Sequence, residues 1–330
     1  MKDRERFKKV MNFEKPDRLP VVEWAGWWDK TIERWYNEGL PRHLKEDGEI
    51  RAYFNFDTWR QCWIEPRKKS LPDNHQNYKP LVTNIDEYLK IKEHLYPEEA
   101  FDKKPIIEWA EMQRNNDMVV WITLEGFYWM PRTLLGMEEI NYMFYDDPEL
   151  LHLINKDTLD FNLRVLKQFC SICKPDFMTF AEDMSYNHGP LVSKSLFDEF
   201  MKPYYLQIIP VVKENGIIPF VDTDGNPEEL IPWFLDIGIE GFLPMERQAG
   251  SDVVKFRQKH PKLKIIGAFD KTLMNKGEEI MRYEFERLLP VMKQGGYILG
   301  VDHQTPPGVS LNDYYLFVRL FREYAEKAVQ

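Results

Sequence analysis

The sequence predicts a single α/β domain over residues 1–330, a (β/α)8 barrel of the TIM type with an inserted helical and aromatic cap near its amino terminus. Three observations lead there. Short apolar runs of β character alternate with longer helical patterns, the texture of a parallel sheet joined by crossover helices. Seven such runs, with an eighth around residues 80–83, match the strand number of that barrel. The GxGxxG turn that would favour an open, doubly wound sheet is absent.

The expected strands cover residues 19–24, 119–124, 177–182, 217–222, 241–244, 264–267 and 297–301. Asp147-Pro148 opens a helix that runs to about residue 172, with Leu150, Leu153, Ile154, Leu159 and Phe161 on its apolar side. A second helix covers 193–215 and stops at Asn215-Gly216, a C-terminal signal. A short third covers 227–236, with Pro227 at its first position and Asn226 as its cap. Two more cover 276–294, ending at Gly295-Gly296, and 311–329. Residues 25–117 are too long for one crossover and are rich in Trp, Tyr and charge, so they are expected to cap the barrel mouth.

Composition excludes several function classes. At 330 residues and 43% hydrophobic, the chain can bury a full core, which rules out disordered and fibrous classes. It has no run of about 18 apolar residues, and its opening MKDRERFKKVMNFEKPDR lacks the apolar core of a secretory signal. Cys62, Cys170 and Cys173 form no disulfide framework, so a reducing cytoplasm is expected. A net charge of −10 argues against nucleic acid as a partner. Aromatic residues reach 14%, with 10 Trp, enough to line a pocket as well as fill a core.

Barrel enzymes place their chemistry at the carboxyl ends of the strands. Five consecutive expected strands end there in carboxylates. They lead into Glu182-Asp183, Asp222-Thr223-Asp224-Gly225-Asn226, Glu246, Asp270 and Asp302-His303. If the fourth strand persists through Asp224, then Asp222 and Asp224 project from one face, since strand side chains alternate with period two. Two close carboxylates share a proton or hold a cation, and the competing assignment is an Asx-type turn ahead of Pro227. His303 would complete a metal set of Asp222, Asp224 and His303, or would act as an acid or base oriented by Asp302. Glu182, Asp183 and Glu246 are the catalytic acid candidates. Trp24, Trp27, Tyr186, His188, Asn226, Asp270 and Asp302 are the substrate-binding candidates. Cys170 and Cys173 lie in a helical stretch without a second pair, so their CxxC is not read as a zinc knuckle.

Taken in order, these segments resemble the uroporphyrinogen decarboxylase superfamily, which also contains corrinoid-dependent methyltransferases. The resemblance runs from Arg4-Glu5-Arg6-Phe7 and Lys15-Pro16-Asp17-Arg18-Leu19-Pro20 through Asp146-Asp147-Pro148-Glu149. It continues through Glu182-Asp183, Gly189-Pro190, Phe197-Asp198-Glu199-Phe200 and Pro203-Tyr204. Its strongest stretch is residues 216–226, and it closes with Gly295-Gly296-Tyr297-Ile298-Leu299-Gly300. The zinc-containing methyltransferase branch carries a His-x-Cys-Gly-Asn stretch and a later Cys. Asp222, Thr223, Asp224, Gly225, Asn226 and then His303 stand at the matching positions here, which exchanges soft ligands for hard ones. True decarboxylases carry an Arg-Gln-Ala-Gly-Arg segment after the first strand. Here that place reads Glu23-Trp24-Ala25-Gly26-Trp27-Trp28-Asp29.

The resemblance therefore implies methyl transfer from a small methylated donor to a corrinoid (cobalamin) carried by a partner protein. A methoxylated aromatic is one such donor, which Trp24, Trp27, Trp28 and Trp129 would stack upon in an O-demethylation, and methanol, methylamines and thiols are the alternatives. Zinc is a cofactor alternative at Asp222, Asp224 and His303, and a homodimer is an assembly alternative. A decarboxylase of a smaller substrate and a non-catalytic ligand-binding barrel are the competing functions.

Overall fold

The computed structural model describes residues 1–71 and 79–330. Seven parallel strands form one curled sheet in chain order. They are β1 (Trp59–Ile64), β2 (Val119–Glu125), β3 (Phe177–Ala181), β4 (Ile218–Asp222), β5 (Gly241–Leu243), β6 (Lys264–Phe269) and β7 (Tyr297–Val301). Helices connect successive strands on the outside, which is the TIM-type barrel arrangement. Strands β2, β3, β6 and β7 are buried along their whole length, as expected of strands covered on both faces.

The eighth stave is an extended segment without a ladder. Residues 19–24 were expected as a strand, but Pro20 has no amide to give, and a buried carboxylate captures the next one. Val21 N donates to Asp57 Oδ2 at 3.2 Å, and Asp57 N donates back to Val21 O at 2.9 Å just ahead of β1. At the other edge of the sheet, the Trp24 indole donates to Val301 O of β7 at 2.8 Å. Single contacts thus tie this segment to both edges. Residues 80–83 form no strand either. Leu81 N and Val82 N both donate to Leu134 O, which anchors the chain to a helix rather than to the sheet.

Strand β1 lies inside the range expected to cap the mouth, part of which, residues 72–78, falls outside the described residues. Its sequence WRQCWI hides a strand because Arg60, Gln61, Cys62 and Trp63 are all partly exposed and only its two ends are buried. Below, the helix Asp3–Met11 closes the amino-terminal end of the barrel. Phe7 packs edge-on against Trp59 at 5.3 Å and against Phe177 at 5.4 Å, the first residues of β1 and β3. Burying each such ring contributes roughly 1.5–3 kcal/mol.

The long helix forms as Pro148–Cys170, and Asp147 caps it by accepting Leu150 N at 3.1 Å. The helix expected over 193–215 breaks into Lys194–Phe200 and Lys202–Glu214, because Pro203 starts a new first turn. The helix expected from Pro227 begins later, as Leu230–Asp236. The two remaining helices form as Glu278–Met292 and Leu311–Lys327. All three cysteines are free. No helix among the described residues is long and apolar enough to cross a membrane.

Candidate active site

The strand ends of β3 and β4 build the floor of a cavity at the carboxyl end of the barrel. Glu182 N and Asp183 N both donate to Asp222 O, which locks the two tips together. Beyond β4 the alternation persists: Thr223 is buried and receives Met184 N at 3.0 Å, while Asp222 and Asp224 both line the cavity. Gly225 then passes so close to the chain at Tyr186 that a Cβ would come within 2.6 Å of its Cα. Only glycine fits there, and its positive φ of 83° is equally suited to it.

The cavity holds about 290 Å³. Four indoles form much of its wall: Trp24, Trp63, Trp121 and Trp129. Its polar groups are Gln61, Glu182, Asp183, Asp222, Asp224, His303 and Gln304. Gln61 is oriented by donating to Thr123 Oγ1 at 2.8 Å, and Trp121 by donating to Thr179 Oγ1 at 2.9 Å.

The carboxyl groups divide by what they touch. Glu182 is fully buried and accepts the amides of Phe127, Tyr128 and Trp129 at 2.8, 2.8 and 3.0 Å, together with the hydroxyl of Tyr205. Burial raises its pKa against the pull of those donors. Its contacts make it the anchor of the loop that carries Trp129, and Gly126 supplies the space it needs, since a Cβ there would lie 2.2 Å from Glu182 Cδ. Asp183 accepts Asp224 N at 3.1 Å and Arg132 Nη2 at 3.2 Å. The Arg132 guanidinium in turn lies 4.2 Å from the centroid of the Trp129 ring, a cation–π contact that holds this wall.

Asp222 and Asp224 differ from these: neither carboxyl accepts a hydrogen bond from any described residue. Burial, then the neighbouring Asp224 and Asp183, drive the Asp222 pKa well above the carboxylate range. Burial, Asp183 and Glu246 push Asp224 up to about 7, opposed by Lys271 and Arg132. His303 stands beside Asp224, with Nε2 3.6 Å from Asp224 Oδ2. Burial and Lys271 lower the His303 pKa, which favours the neutral imidazole. The turn assignment for Asp224 finds no contact to support it; Asn226 is the residue that caps, accepting Glu228 N at 3.1 Å.

Several sequence candidates stand elsewhere. Glu246 backs the cavity without lining it, accepting Gly225 N at 3.0 Å and Lys271 Nζ at 3.2 Å. Asp302 is fully buried and fastens two loops by accepting Arg247 N at 2.9 Å and Lys271 N at 3.1 Å. Asp270 caps a short turn through Thr272 N at 2.9 Å. Trp27 is core, packed against Trp35, Phe54 and Tyr314. Trp28 is exposed at the start of the helix Asp29–Glu38. Tyr186 and His188 are exposed on a two-residue hairpin and touch each other edge-on at 5.6 Å. Sequence reasoning missed Gln61, Trp63, Trp121, Gln304 and Arg132. Gln61 and Trp63, two residues apart on an unrecognised strand, carried a period-two signal that the polar residues around them concealed.

Zinc does not fit the expected ligand set. Among the described residues no three His, Cys, Asp or Glu side chains are grouped as metal ligands. Asp224 and His303 make a pair, and a closed or catalytic zinc site needs at least three protein ligands.

A protein-family model described as uroporphyrinogen decarboxylase (URO-D) matches residues 126–324. The chain belongs to the uroporphyrinogen decarboxylase family. The matched span includes β3 to β7 and therefore Glu182, Asp183, Asp222, Asp224 and His303. Among solved structures, a methyltransferase from Methanosarcina mazei superposes with a TM-score of 0.68 at 14% identity, covering 98% of this chain and 99% of that one. A putative vitamin-B12 independent methionine synthase from Listeria monocytogenes superposes at 0.49 and 12% identity, covering 95% and 98%. At these identities the likeness is one of fold. A comparison with curated protein sequences returns no match.

Proposed function

We propose that this family member is a methyltransferase that moves a methyl group from a small methoxylated arene to a corrinoid carried by a partner protein. The observation that carries this reading is the pair Asp222 and Asp224. They are carboxyl groups without hydrogen-bond donors, held toward their neutral form, and they face a cavity walled by four indoles. Indole walls suit an aromatic ring, and a neutral carboxyl suits an ether oxygen that must leave as a phenol. The end-to-end superposition on a methyltransferase supports the same reaction class through the shared barrel.

A reduced corrinoid on its partner supplies the nucleophile that takes the methyl group. This chain's residues do the rest. Trp24, Trp121 and Trp129 hold the ring so that the methyl carbon is presented in line, which converts binding into orientation. As the carbon–oxygen bond breaks, its electron pair stays on oxygen, and the Asp224 carboxyl delivers its proton there. Asp183 and Glu246 keep that proton available by disfavouring a second negative charge beside their own.

Decarboxylation of uroporphyrinogen is less well supported. Its substrate carries eight carboxylates and needs a cationic cleft. The cavity here lies at the small end of the roughly 300–1,000 Å³ range of ligand pockets, and its unpaired groups are acidic. Incubation with a reduced corrinoid protein and a methoxyphenol tests the proposal. Release of the demethylated phenol is expected. Carbon dioxide release from a carboxylated substrate, without demethylation, would establish the decarboxylase instead.

A further inference from the structure

We infer that the donor carries no anionic substituent: the cavity accepts an uncharged methoxyarene and discriminates against one bearing a carboxylate. The inference rests on the methoxyarene reading above and adds the charge of the substrate to it. It follows from an asymmetry in how the charged groups around the cavity are paired. Both nearby cations have a partner of their own. Arg132 is bound to Asp183 at 3.2 Å and stacked on Trp129, and Lys271 is bound to Glu246 at 3.2 Å. Neither of these cations lines the cavity.

The acids are not matched in this way. Among the described residues neither Asp222 nor Asp224 finds a hydrogen-bond donor at the cavity wall, and Asp224 has His303 Nε2 3.6 Å away. Gln61 and Gln304 are the remaining polar side chains on the wall, and both are uncharged. An arene carboxylate entering this space would therefore find indoles, amides and carboxyl groups, with no free Lys or Arg among the described residues of the wall to receive it. Burying an unpaired carboxylate is costly in itself. Asp224, partly ionised near pH 7, adds repulsion that grows as pH rises: at an effective dielectric of about 20, two full like charges about 6 Å apart lose about 100-fold in affinity. Face-on contact between an anion and an indole adds no compensation, because the ring face is itself negative.

The test is a binding comparison between 3-methoxybenzamide and 3-methoxybenzoate, which match in shape and differ in charge. Four of the tryptophans line the cavity, so quenching of intrinsic fluorescence reports occupancy without any corrinoid. The amide is expected to bind at least 10-fold more tightly than the carboxylate at pH 7. At pH 8, where Asp224 is ionised, replacing Asp222→Asn and Asp224→Asn together should shrink that ratio by raising affinity for the carboxylate. Circular dichroism of the double variant, and its retained binding of the amide, keep a folding defect apart from a charge effect. Equal or tighter binding of the carboxylate would overturn the inference, and so would failure of both compounds to bind at millimolar concentration. Methyl transfer is measured separately: selective binding of the amide with no demethylation would leave this inference standing and remove the methyltransferase reading.

Discussion

Glu182, just beyond β3, accepts the backbone amide of Trp129 at 3.0 Å, so one strand-end acid positions one wall of the cavity. The same carboxylate receives Phe127 N, Tyr128 N and the Tyr205 hydroxyl, which leaves it no free acceptor facing the substrate. Glu182 is thus a positioning residue, while Asp224, at the tip of the adjacent strand, is the proton donor proposed above.

Replacing Glu182→Gln should therefore act on the fold first. The amide group of Gln would turn a donor toward backbone amides that also donate, leaving at least one buried amide bare. Such a group costs about 1–3 kcal/mol. Thermal denaturation should register that loss, and ligand binding should weaken together with turnover as the Trp129 wall shifts.

Asp224→Asn should give the opposite pattern. Its side chain is 40% exposed and makes no hydrogen bond to a described residue, so the melting temperature should be no lower than wild type. Turnover should fall by about 10²–10⁴, the usual contribution of one acid–base group. An unchanged rate would mean that Asp224 is not the proton donor.

The pH dependence follows from the direction of the Asp224 shift. A carboxyl raised to about 7 is protonated below that value and ionised above it. Turnover should accordingly fall as pH rises through about 7, and this limb should vanish in Asp224→Asn. Stability has the same sign. The folded state binds the proton more tightly than the unfolded chain, so the contribution is fully present below about 4 and is lost as pH rises through about 7. Denaturation of wild type and Asp224→Asn between pH 4 and 8 checks this, and the stability difference between them should change over that window.

Asp302→Ala should destabilise the barrel mouth without contributing to substrate contact. Arg247 N and Lys271 N would lose their common acceptor, at about 1–3 kcal/mol for each buried amide left bare. Calorimetry checks the stability loss. Affinity for an uncharged methoxyarene, measured well below the melting temperature, should change less than in Glu182→Gln, because Asp302 lies outside the cavity wall.

The barrel was legible in the sequence wherever apolar runs are continuous, as in β2, β3, β6 and β7. It was hidden in β1, where Gln61 and Trp63 serve the cavity rather than the core. Residues 19–24 looked like a strand because Leu19, Val21 and Val22 are buried, yet Pro20 and Asp57 divert the amides a ladder would require. The site was legible in the same uneven way. Asp222 and Asp224 line one cavity, as strand alternation implied, and His303 lines it from the end of β7. Asp270, Asp302 and Asn226 were indistinguishable from them in sequence, because acids and amides that cap turns sit at the same strand ends as those that do chemistry. Trp27 and Trp129 likewise differ only in tertiary contacts, one in the core and the other on the wall.

The most direct test is a single-turnover reaction between this protein, a methoxyphenol and a stoichiometric reduced corrinoid protein, followed by the corrinoid's absorption spectrum. Conversion of the reduced corrinoid to its methylated form, with one equivalent of demethylated phenol released and the step slowed about 10²–10⁴ in Asp224→Asn, is expected. A spectrum that stays unchanged while the methoxyphenol is bound and the corrinoid remains reduced would refute methyl transfer at this site.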